Sequence, residues 1–304
     1  MILRFLFLIG LTILSFLPVF AQNVTDGNSL RQGNWIIKYD TDTIKEEIHY
    51  KDSIRIGEYK AYDYEGNLRV TGQYKNGSKD GLWKTYYPND QLRSEVFYIH
   101  DKKEGVYKTY YQIEDDLVLS SGEQKMILQN LGFFKKDIKH GNWTQYYRSG
   151  KIKLVSTFKK GRLHGKWFGY YENGQAKNVG KYKKGNLHGW HYDYLDNGIL
   201  FNKSKYRQGW LNGKTEKYTF DGKLKNIRYY RNDKLHGKYK NFYTDHETNQ
   251  ISEDKKFRRG EIHGVQKFYR KSGWMIAKVL YKNGKMIRRI DTPVDTWDIV
   301  NPKK

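Results

Sequence analysis

The side chains best placed to bind something in this sequence are lysines and arginines that recur directly after an aromatic residue. Lys159 follows Phe158 in this way, for example, and Arg207 follows Tyr206. Cations held at regular intervals suit an extended polyanion, through contacts that weaken with salt. Lysine and arginine also protect exposed turns from aggregation, so a purely solubilising role stays open. The candidate polyanion- or partner-binding residues are Lys135, Lys136, Lys159, Lys160, Lys183, Lys184, Arg207, Arg231, Arg258 and Arg259.

Rows of aromatic residues are the second feature that could bind a ligand. Successive residues of a strand point to opposite faces, so both faces of the predicted sheet carry rings. One set has to form the stacking core, whereas the other could line an open groove for an extended peptide, glycan or lipid head group. The residues assigned to this aromatic face are Trp83, Trp143, Trp167, Tyr87, Tyr147 and Tyr171.

Histidines are the obvious candidates for a metal site, but their spacing argues against one. Equivalent positions two strands apart lie roughly 9–10 Å from each other, too far to share one ion. His188 and His191 come closest to a chelating pair, and no third ligand is evident. We therefore predict no metal and no cofactor. Five of the nine histidines stand directly before a recurring glycine, namely His140, His164, His188, His236 and His263.

Catalytic signatures are not evident in the sequence. The clusters Glu46-Glu47 and Glu114-Asp115-Asp116 have no recurring partner and are interpreted as solvated charges or turn residues. The chain has no cysteine, which excludes thiol catalysis, thiolate metal sites and disulfides. Nucleophile-elbow, Walker, zincin and deaminase patterns are not found. We predict that the protein is not an enzyme and has no catalytic residues.

The elements that position these side chains are set by a repeat of 24 residues, which we call a cassette and number from its opening glycine. An aromatic residue stands five positions after most openers and another seventeen positions after, as in Tyr170 and Tyr182. A fixed period of this length indicates a repeat array. The openers are Gly33, Gly57, Gly81, Gly105, Gly141, Gly165, Gly189, Gly213, Gly237 and Gly264, with 12 extra residues in the fourth cassette and 3 in the ninth.

Each cassette is predicted to form one β-hairpin. Asn173-Gly174 lies where a tight turn is expected, because both residue types tolerate positive φ. The segment before such a turn is rich in Trp and Tyr, and the segment after it alternates, as in Ile152, Leu154, Ser156 and Phe158. No hairpin of this size is stable alone, so the hairpins must stack on their neighbours. The sequence therefore predicts an all-β fold of about ten hairpins and 20 strands.

The cassette resembles the MORN repeat, in the bacterial variant of the YwqK-type "antitoxin" family. The resemblance implies an elongated, single-layer antiparallel β-solenoid of stacked hairpins. It implies little about activity, since MORN arrays are associated with scaffolding, protein partners and acidic lipid head groups. The copies closest to the pattern are Gly81-Leu82-Trp83-Lys84-Thr85-Tyr86-Tyr87, Gly141-Asn142-Trp143-Thr144-Gln145-Tyr146-Tyr147 and Gly165-Lys166-Trp167-Phe168-Gly169-Tyr170-Tyr171.

The N-terminus is typical of a secretory signal peptide. A basic Arg4, an apolar run and a small-residue cleavage site at Ala21 are its three parts. We predict a signal peptide at 1–21, a leader at 22–32, the repeat array at 33–284 and a tail or cap at 285–304. The protein is then exported, to the periplasm, the outer membrane or the medium, with no transmembrane span after cleavage.

A formal net charge of +23 and 16% aromatic residues complete the functional prediction. We expect a non-catalytic exported scaffold whose basic, aromatic-rich face binds a protein partner or an acidic lipid or polysaccharide surface. Export makes nucleic acid the less natural polyanion. Two alternatives stay open, a protein that neutralises a toxin partner and, less favoured, a glycan-active enzyme with a carboxylate pair in a groove.

Overall fold

The computed structural model describes residues 22–113 and 126–292. The predicted signal peptide, the cluster Glu114-Asp115-Asp116 and residues 293–304 of the tail lie outside the described residues. The strands are β1 (Val24–Thr25), β2 (Arg31–Lys38), β3 (Ile44–Lys51), β4 (Ile54–Tyr62), β5 (Leu68–Lys75), β6 (Ser78–Lys79), β7 (Gly81–Tyr86), β8 (Leu92–Ile99), β9 (Lys102–Tyr110), β10 (Leu128–Lys135), β11 (Ile138–Tyr146), β12 (Ile152–Lys159), β13 (Arg162–Tyr170), β14 (Ala176–Lys183), β15 (Asn186–Leu187), β16 (Gly189–Tyr194), β17 (Leu200–Arg207), β18 (Trp210–Tyr218), β19 (Leu224–Arg231), β20 (Lys234–Phe242), β21 (Ile251–Arg258), β22 (Glu261–Ile262), β23 (Gly264–Tyr269), β24 (Met275–Lys282) and β25 (Lys285–Asp291).

These strands form one open antiparallel sheet in which each strand pairs with its neighbour in the chain. Over the described residues every regular element is a strand, and no helix there could cross a membrane. Each of the four two-residue strands, β1, β6, β15 and β22, pairs with a longer strand. The elongated single-layer β-solenoid predicted from the repeats is confirmed.

The sheet extends beyond both ends of the predicted array. β1 pairs with β2 across Thr25 and Arg31, so part of the segment assigned as a leader is already in the sheet. At the other end β25 pairs with β24 as far as Asp291 opposite Ala277. β25 therefore occupies the place of the first strand of a further cassette.

Two kinds of turn connect the strands. In one, Gly174 N donates to Tyr171 O at 3.0 Å, and Gly174 has a φ of 92°. In the other, Lys160 and Gly161 have φ values of 51° and 73°, the left-handed pair that a two-residue type I′ hairpin requires. Turns of the second kind all lie at one edge of the sheet, which we call the basic edge.

The opening glycines lie at irregularities between cassettes. Ser156 pairs with Trp167 and Phe158 with Leu163, so that three residues including Gly165 oppose a single residue of β12. All ten opening glycines have positive φ, from 66° to 117°. A bulge that needs a left-handed residue explains why glycine recurs there.

One face of the sheet carries the aromatic core, and we call it the inner face. Trp83, Trp143 and Tyr50 are its most buried rings. Trp143 meets Phe134 edge to face at 5.2 Å between ring centroids and Phe158 at 5.9 Å. Ring contacts of this kind join the second cassette to the third, the fourth to the fifth and the sixth to the seventh. Packing between neighbours is how a hairpin that is unstable alone becomes stable in an array.

Lysine and arginine side chains lie over the aromatic rings of the inner face in the first five cassettes. Lys79 Nζ lies 4.1 Å from the centroid of the Trp83 ring, and Lys139 Nζ lies 4.1 Å from that of Trp143. Burial among these rings lowers the pKa of Lys79. The position two residues before the opener is occupied by Arg31, Arg55, Lys79, Lys103 and Lys139 in the first five cassettes and by Leu163, Leu187, Leu211, Leu235 and Ile262 in the last five.

Close packing of rings on backbone makes one glycine position sensitive to a single methyl group. A Cβ added at Gly132 would lie 2.3 Å from Cδ2 of Trp143. We expect Gly132→Ala to lower the free energy of unfolding by about 1–3 kcal/mol, measured by urea denaturation. Gly27→Ala is the matched control, because no atom lies within 4 Å of the added Cβ and the substitution should change stability little. Equal effects of both substitutions would contradict the packing argument.

Candidate functional site

The basic residues singled out in the sequence lie along the basic edge. Lys135, Lys159 and Lys183 end their strands there, and Lys160 and Lys184 occupy the left-handed turn positions. All ten predicted residues are exposed. No ion pair joins any of them to a carboxylate within 22–113 or 126–292. The carboxylates that share this edge bond the backbone instead, as Asp137 Oδ1 accepts from Lys103 N at 2.9 Å.

A second set of lysines lies beside this edge on the outer face, opposite the aromatic core. These residues stand one and sixteen positions after the openers, and cross-strand pairing brings them together. Lys166 pairs directly with Lys181, and Lys238 pairs with Lys256. Between them, Trp190 pairs with Lys205. Together with the residues of the basic edge, these side chains form a field of cations that is two rows wide. We call Lys166, Lys181, Lys205, Lys214, Lys238 and Lys256 the outer lysines.

Ion pairing leaves most of the outer lysines uncompensated. Lys214 Nζ lies 2.5 Å from Glu216 Oε1, and Lys203 Nζ reaches the same carboxylate at 3.4 Å. These two cations hold the pKa of Glu216 below its usual value against the effect of burial, which alone would raise it. In the described part of the chain no carboxylate pairs with the other five. Like charges directly opposite each other destabilise a sheet. A bound anion would therefore reduce the repulsion between the paired lysines.

The N-terminal half of the outer face has a different character. Lys84 and Lys108 both lie near Glu95, at 3.9 and 3.4 Å, so one carboxylate offsets part of their charge. Beside them runs an apolar strip across β7–β10. Its members are Leu82, Phe97, Val106 and Phe133, exposed by 45, 42, 42 and 42%. Leu82 pairs with Phe97 and Val106 with Phe133, and the bulge between β8 and β9 places Phe97 opposite residues 104–106.

The prediction that Trp83 and Trp143 line an open aromatic groove is wrong. Trp83 and Trp143 are 3% and 6% exposed, because they pack against the glycines of the neighbouring strand in the inner-face ladder. Trp167 is half-buried in the same ladder, 6.1 Å from Tyr182 and 5.9 Å from the ring of His191. These indoles are therefore part of the core.

The three tyrosines assigned to the aromatic face bond the next cassette. Tyr87 Oη donates to Tyr110 O at 2.9 Å, and Tyr147 Oη donates to Tyr170 O at 2.7 Å. Tyr171 does the same with its neighbour. These hydroxyls therefore fasten adjacent hairpins at the edge opposite the basic edge.

The histidines and the acidic pair are separated by the geometry of the sheet. Among the described residues, no three side chains of metal-ligating type converge. His236 Nδ1 accepts a long 3.5 Å bond from Arg259 N, beside the turn. Glu46 and Glu47 are successive residues of β3 and point to opposite faces. Glu47 accepts from Tyr62 Oη at 2.9 Å on the outer side.

The outer lysines are functional candidates that the sequence alone did not predict. The signal was present, because basic residues recur one and sixteen places after the openers in the sixth to ninth cassettes. Their relation could not be recognised without the register that places these two positions opposite each other. The apolar strip was missed for the same reason.

Comparison with solved structures gives distant likenesses. One chain of a TcdB2-TccC3-Cdc42 crystal structure matches 81% of this chain and 15% of its own length at 10% identity, with a TM-score of 0.19. A TcdB2-TccC3-TEV chain matches 81% and 14% at 11% identity and 0.19. A Tc holotoxin pore of Photorhabdus luminescens matches 83% and 16% at 11% identity and 0.18. The chain thus spans less than a fifth of each, and such TM-scores support no conclusion. No curated protein matches the sequence.

Family comparison, in contrast, agrees with the repeat seen in the sheet. The MORN repeat variant matches six segments, and each runs from two residues before an opening glycine to the turn at the basic edge. The segments are 31–52, 55–76, 79–100, 139–160, 163–184 and 262–283. Six copies in register with the hairpins identify the chain as a MORN-repeat protein.

Proposed function

We propose that this protein is a non-catalytic scaffold that binds a polyanionic polymer or an anionic surface through the basic edge and the outer lysines. The predicted export places this activity outside the cytoplasm. A flat, regular field of cations can neutralise many charges of an extended partner at once. Its rows repeat every two strands, roughly 10 Å apart.

The observation that carries the proposal is the direct opposition of like charges. Lys166 pairs with Lys181 and Lys238 with Lys256, and none of these four lysines forms an ion pair with a carboxylate of the described residues. A sheet that needed lysine only for solubility would gain by placing acidic residues near it, as Glu95 lies near Lys84 and Glu216 near Lys214. Uncompensated repulsion between paired lysines therefore indicates a surface that binds an anion.

The test is binding of the purified protein to dextran sulfate and to anionic or neutral liposomes across a salt series. Each lysine near an anionic surface contributes about 1 kcal/mol. Replacement of Lys159, Lys160, Lys183 and Lys184 by glutamine should therefore weaken binding on the order of 10²- to 10³-fold. Wild-type affinity should fall steeply with added salt.

Matched controls separate this surface from general basicity. Lys84→Gln with Lys108→Gln removes two lysines from the same face that both lie near Glu95, and should change binding little. Lys166→Gln with Lys181→Gln should weaken binding while slightly raising thermal stability, since a repulsive pair is removed. Salt-insensitive binding, or equal losses in all three variants, would refute the proposal. The two probes distinguish a soluble polymer from a lipid surface.

The apolar strip supports a second candidate function, the docking of a protein. Four neighbouring side chains, each more than 40% exposed, form a contiguous apolar patch of a kind that marks interaction sites. Lys84, Glu95 and Lys108 provide a charged rim on one side. A scaffold that held an anion at one half and a protein at the other would use both surfaces.

A further inference from the structure

Aromatic side chains lie among the outer lysines, in the middle of the lysine field on the outer face. Trp190 stands one position after its opener and pairs with Lys205. Tyr229 stands sixteen positions after its opener and pairs with Lys214. In the cassettes on either side, the sixth and the ninth, both of these positions are lysine. We call the outer lysines together with Trp190 and Tyr229 the outer track.

The outer track runs across eight long strands, β13, β14 and β16–β21. Within a cassette its two positions pair directly, and between cassettes the bulges keep them in line. The pairings of β14 place Gly180 and Lys181 opposite residues 188–191. In the same way Lys205 lies opposite residues 212–214. Because strands lie about 4.8 Å apart, the track is roughly 35 Å long, and its four rows recur about every 10 Å.

Lysine at these two positions is confined to the sixth to ninth cassettes, and none of the other six cassettes has it at either one. The apolar strip occupies them in the third and fourth cassettes, and Val265 and Leu280 occupy them in the tenth. The chain as a whole is divided in a similar way. Residues 22–113 contain 14 Lys and Arg against 14 Asp and Glu, whereas residues 126–292 contain 38 against 13. The outer track is therefore a site of defined length and not part of a uniformly basic surface.

The rings in the middle of the outer track suit an anionic sugar. Trp190, Tyr192 and Tyr194 are successive outer-face residues of β16, and each is half-buried. Lys203 Nζ lies 4.8 Å from the centroid of the Trp190 ring, and Lys205 Nζ lies 5.6 Å from it. Five of the six outer lysines are exposed, so a ligand on this face can reach their ammonium groups. An aromatic ring can pack on the C–H face of a sugar while cations beside it bind a carboxylate or sulfate.

We propose that the outer track binds a linear acidic polysaccharide that lies across the strands, with one disaccharide over each cassette. The inference rests on the anion-binding function proposed above and names the polymer. A row spacing of about 10 Å is close to the length of one disaccharide in an extended chain. The two lysines of the first row and of the last match a disaccharide that carries both a carboxylate and a sulfate. A polymer without sugar rings, such as polyphosphate, could use the lysines but not Trp190.

Isothermal titration of the purified protein with chondroitin sulfate oligosaccharides of increasing length tests the assignment. Affinity should rise with each added disaccharide up to the octasaccharide, which covers four cassettes, and should change little beyond it. Trp190→Ala should weaken binding of the octasaccharide about three- to tenfold, because the packing of a sugar on the ring is lost. The same variant should bind polyphosphate of similar charge as tightly as the wild type does, which also shows that it is folded.

Removal of one row should shorten the site. Lys166→Gln with Lys181→Gln should shift the length at which affinity levels off from the octasaccharide to the hexasaccharide, because the first of the four rows is lost. Trp274→Ala is the matched control for Trp190→Ala, since that indole is 58% exposed and lies at the edge opposite the basic edge. It should leave the affinities for both polymers unchanged.

Three results would overturn the polysaccharide assignment. They are an affinity that does not depend on oligosaccharide length, equal weakening of chondroitin sulfate and polyphosphate by Trp190→Ala, and tighter binding of oligothymidylate, whose bases also stack on aromatic rings. Binding of anionic liposomes without binding of chondroitin sulfate would likewise overturn the assignment, but would leave the proposed anion-binding function intact. Failure to bind any of these anions would refute both.

Discussion

Replacement of Trp143 by alanine should lower the free energy of unfolding by about 3–5 kcal/mol. The indole is 6% exposed, meets Phe134 and Phe158 edge to face, and lies beneath Lys139 Nζ. Truncation leaves a cavity between two cassettes and also leaves the lysine without its ring. Since repeats are stabilised by nearest neighbours, the damage should centre on β10–β13.

Urea denaturation and native-state hydrogen exchange together measure this effect. Exchange protection should fall first in β10–β13, with smaller changes near β3 and β24. Trp210→Ala is the matched control, because that indole is 56% exposed and its loss should change stability by less than about 1 kcal/mol. Comparable losses from both substitutions would show that Trp143 is not the joint between cassettes.

A rise in pH from about 10 to about 12 should destabilise the protein progressively. Burial raises the pKa of Tyr59 to about 12, and burial together with the hydrogen bond to Glu47 raises that of Tyr62 to about 12. Unfolded tyrosine titrates near 10. The same direction of shift applies to Tyr74, Tyr98, Tyr107, Tyr110, Tyr182, Tyr206 and Tyr218.

The sign follows from proton binding in the two states. Below pH 10 the phenols are protonated in both states, and their contribution to stability is complete. Between the unfolded and folded pKa values the unfolded chain binds fewer protons, so stability falls as pH rises. Many tyrosines titrating together should produce cooperative unfolding in this window, with phenolate absorbance rising in the same step.

The urea midpoint measured at a series of pH values tests this expectation. Tyr62→Phe should make the decline between pH 10 and 12 shallower, since one of the shifted groups is gone. Tyr64→Phe is the control, because Tyr64 is 67% exposed and its removal should leave the slope unchanged. A midpoint that stayed constant to pH 12 would contradict burial of these phenols.

Much of the fold could be predicted because the cassette repeats its own signals. Asn173-Gly174 and Lys184-Gly185 mark turns through backbone preference alone, and those preferences act within a few residues. The line of cations at the basic edge follows from the period, since equivalent positions of a regular stack lie in line. The role of the opening glycines in the bulges is harder to predict from sequence, because a bulge is defined only relative to the partner strand.

The cassette pattern does not determine which face of the sheet forms the core. Alternation predicts that Trp143 and Tyr146 lie on opposite sides, but a single strand does not reveal which side becomes the core. The pairing of Tyr146 with Ile152 also leaves Lys153 unopposed, so the alternation expected from Ile152 onward is interrupted at its start. Trp143 is buried because Gly132 on the adjacent strand lets its ring approach the backbone.

The amino-acid sequence by itself determined the hairpin unit, its number, the all-β class and the basic edge, because local turn chemistry and strand propensity act within one cassette. The tertiary structure alone decided which side chains of different strands meet. Lys166 opposes Lys181, and Asn226 lies between Lys217 and Asn241, through a register that two bulges per cassette set. Register depends on pairing between strands, and a one-residue slip would move every side chain to the other face.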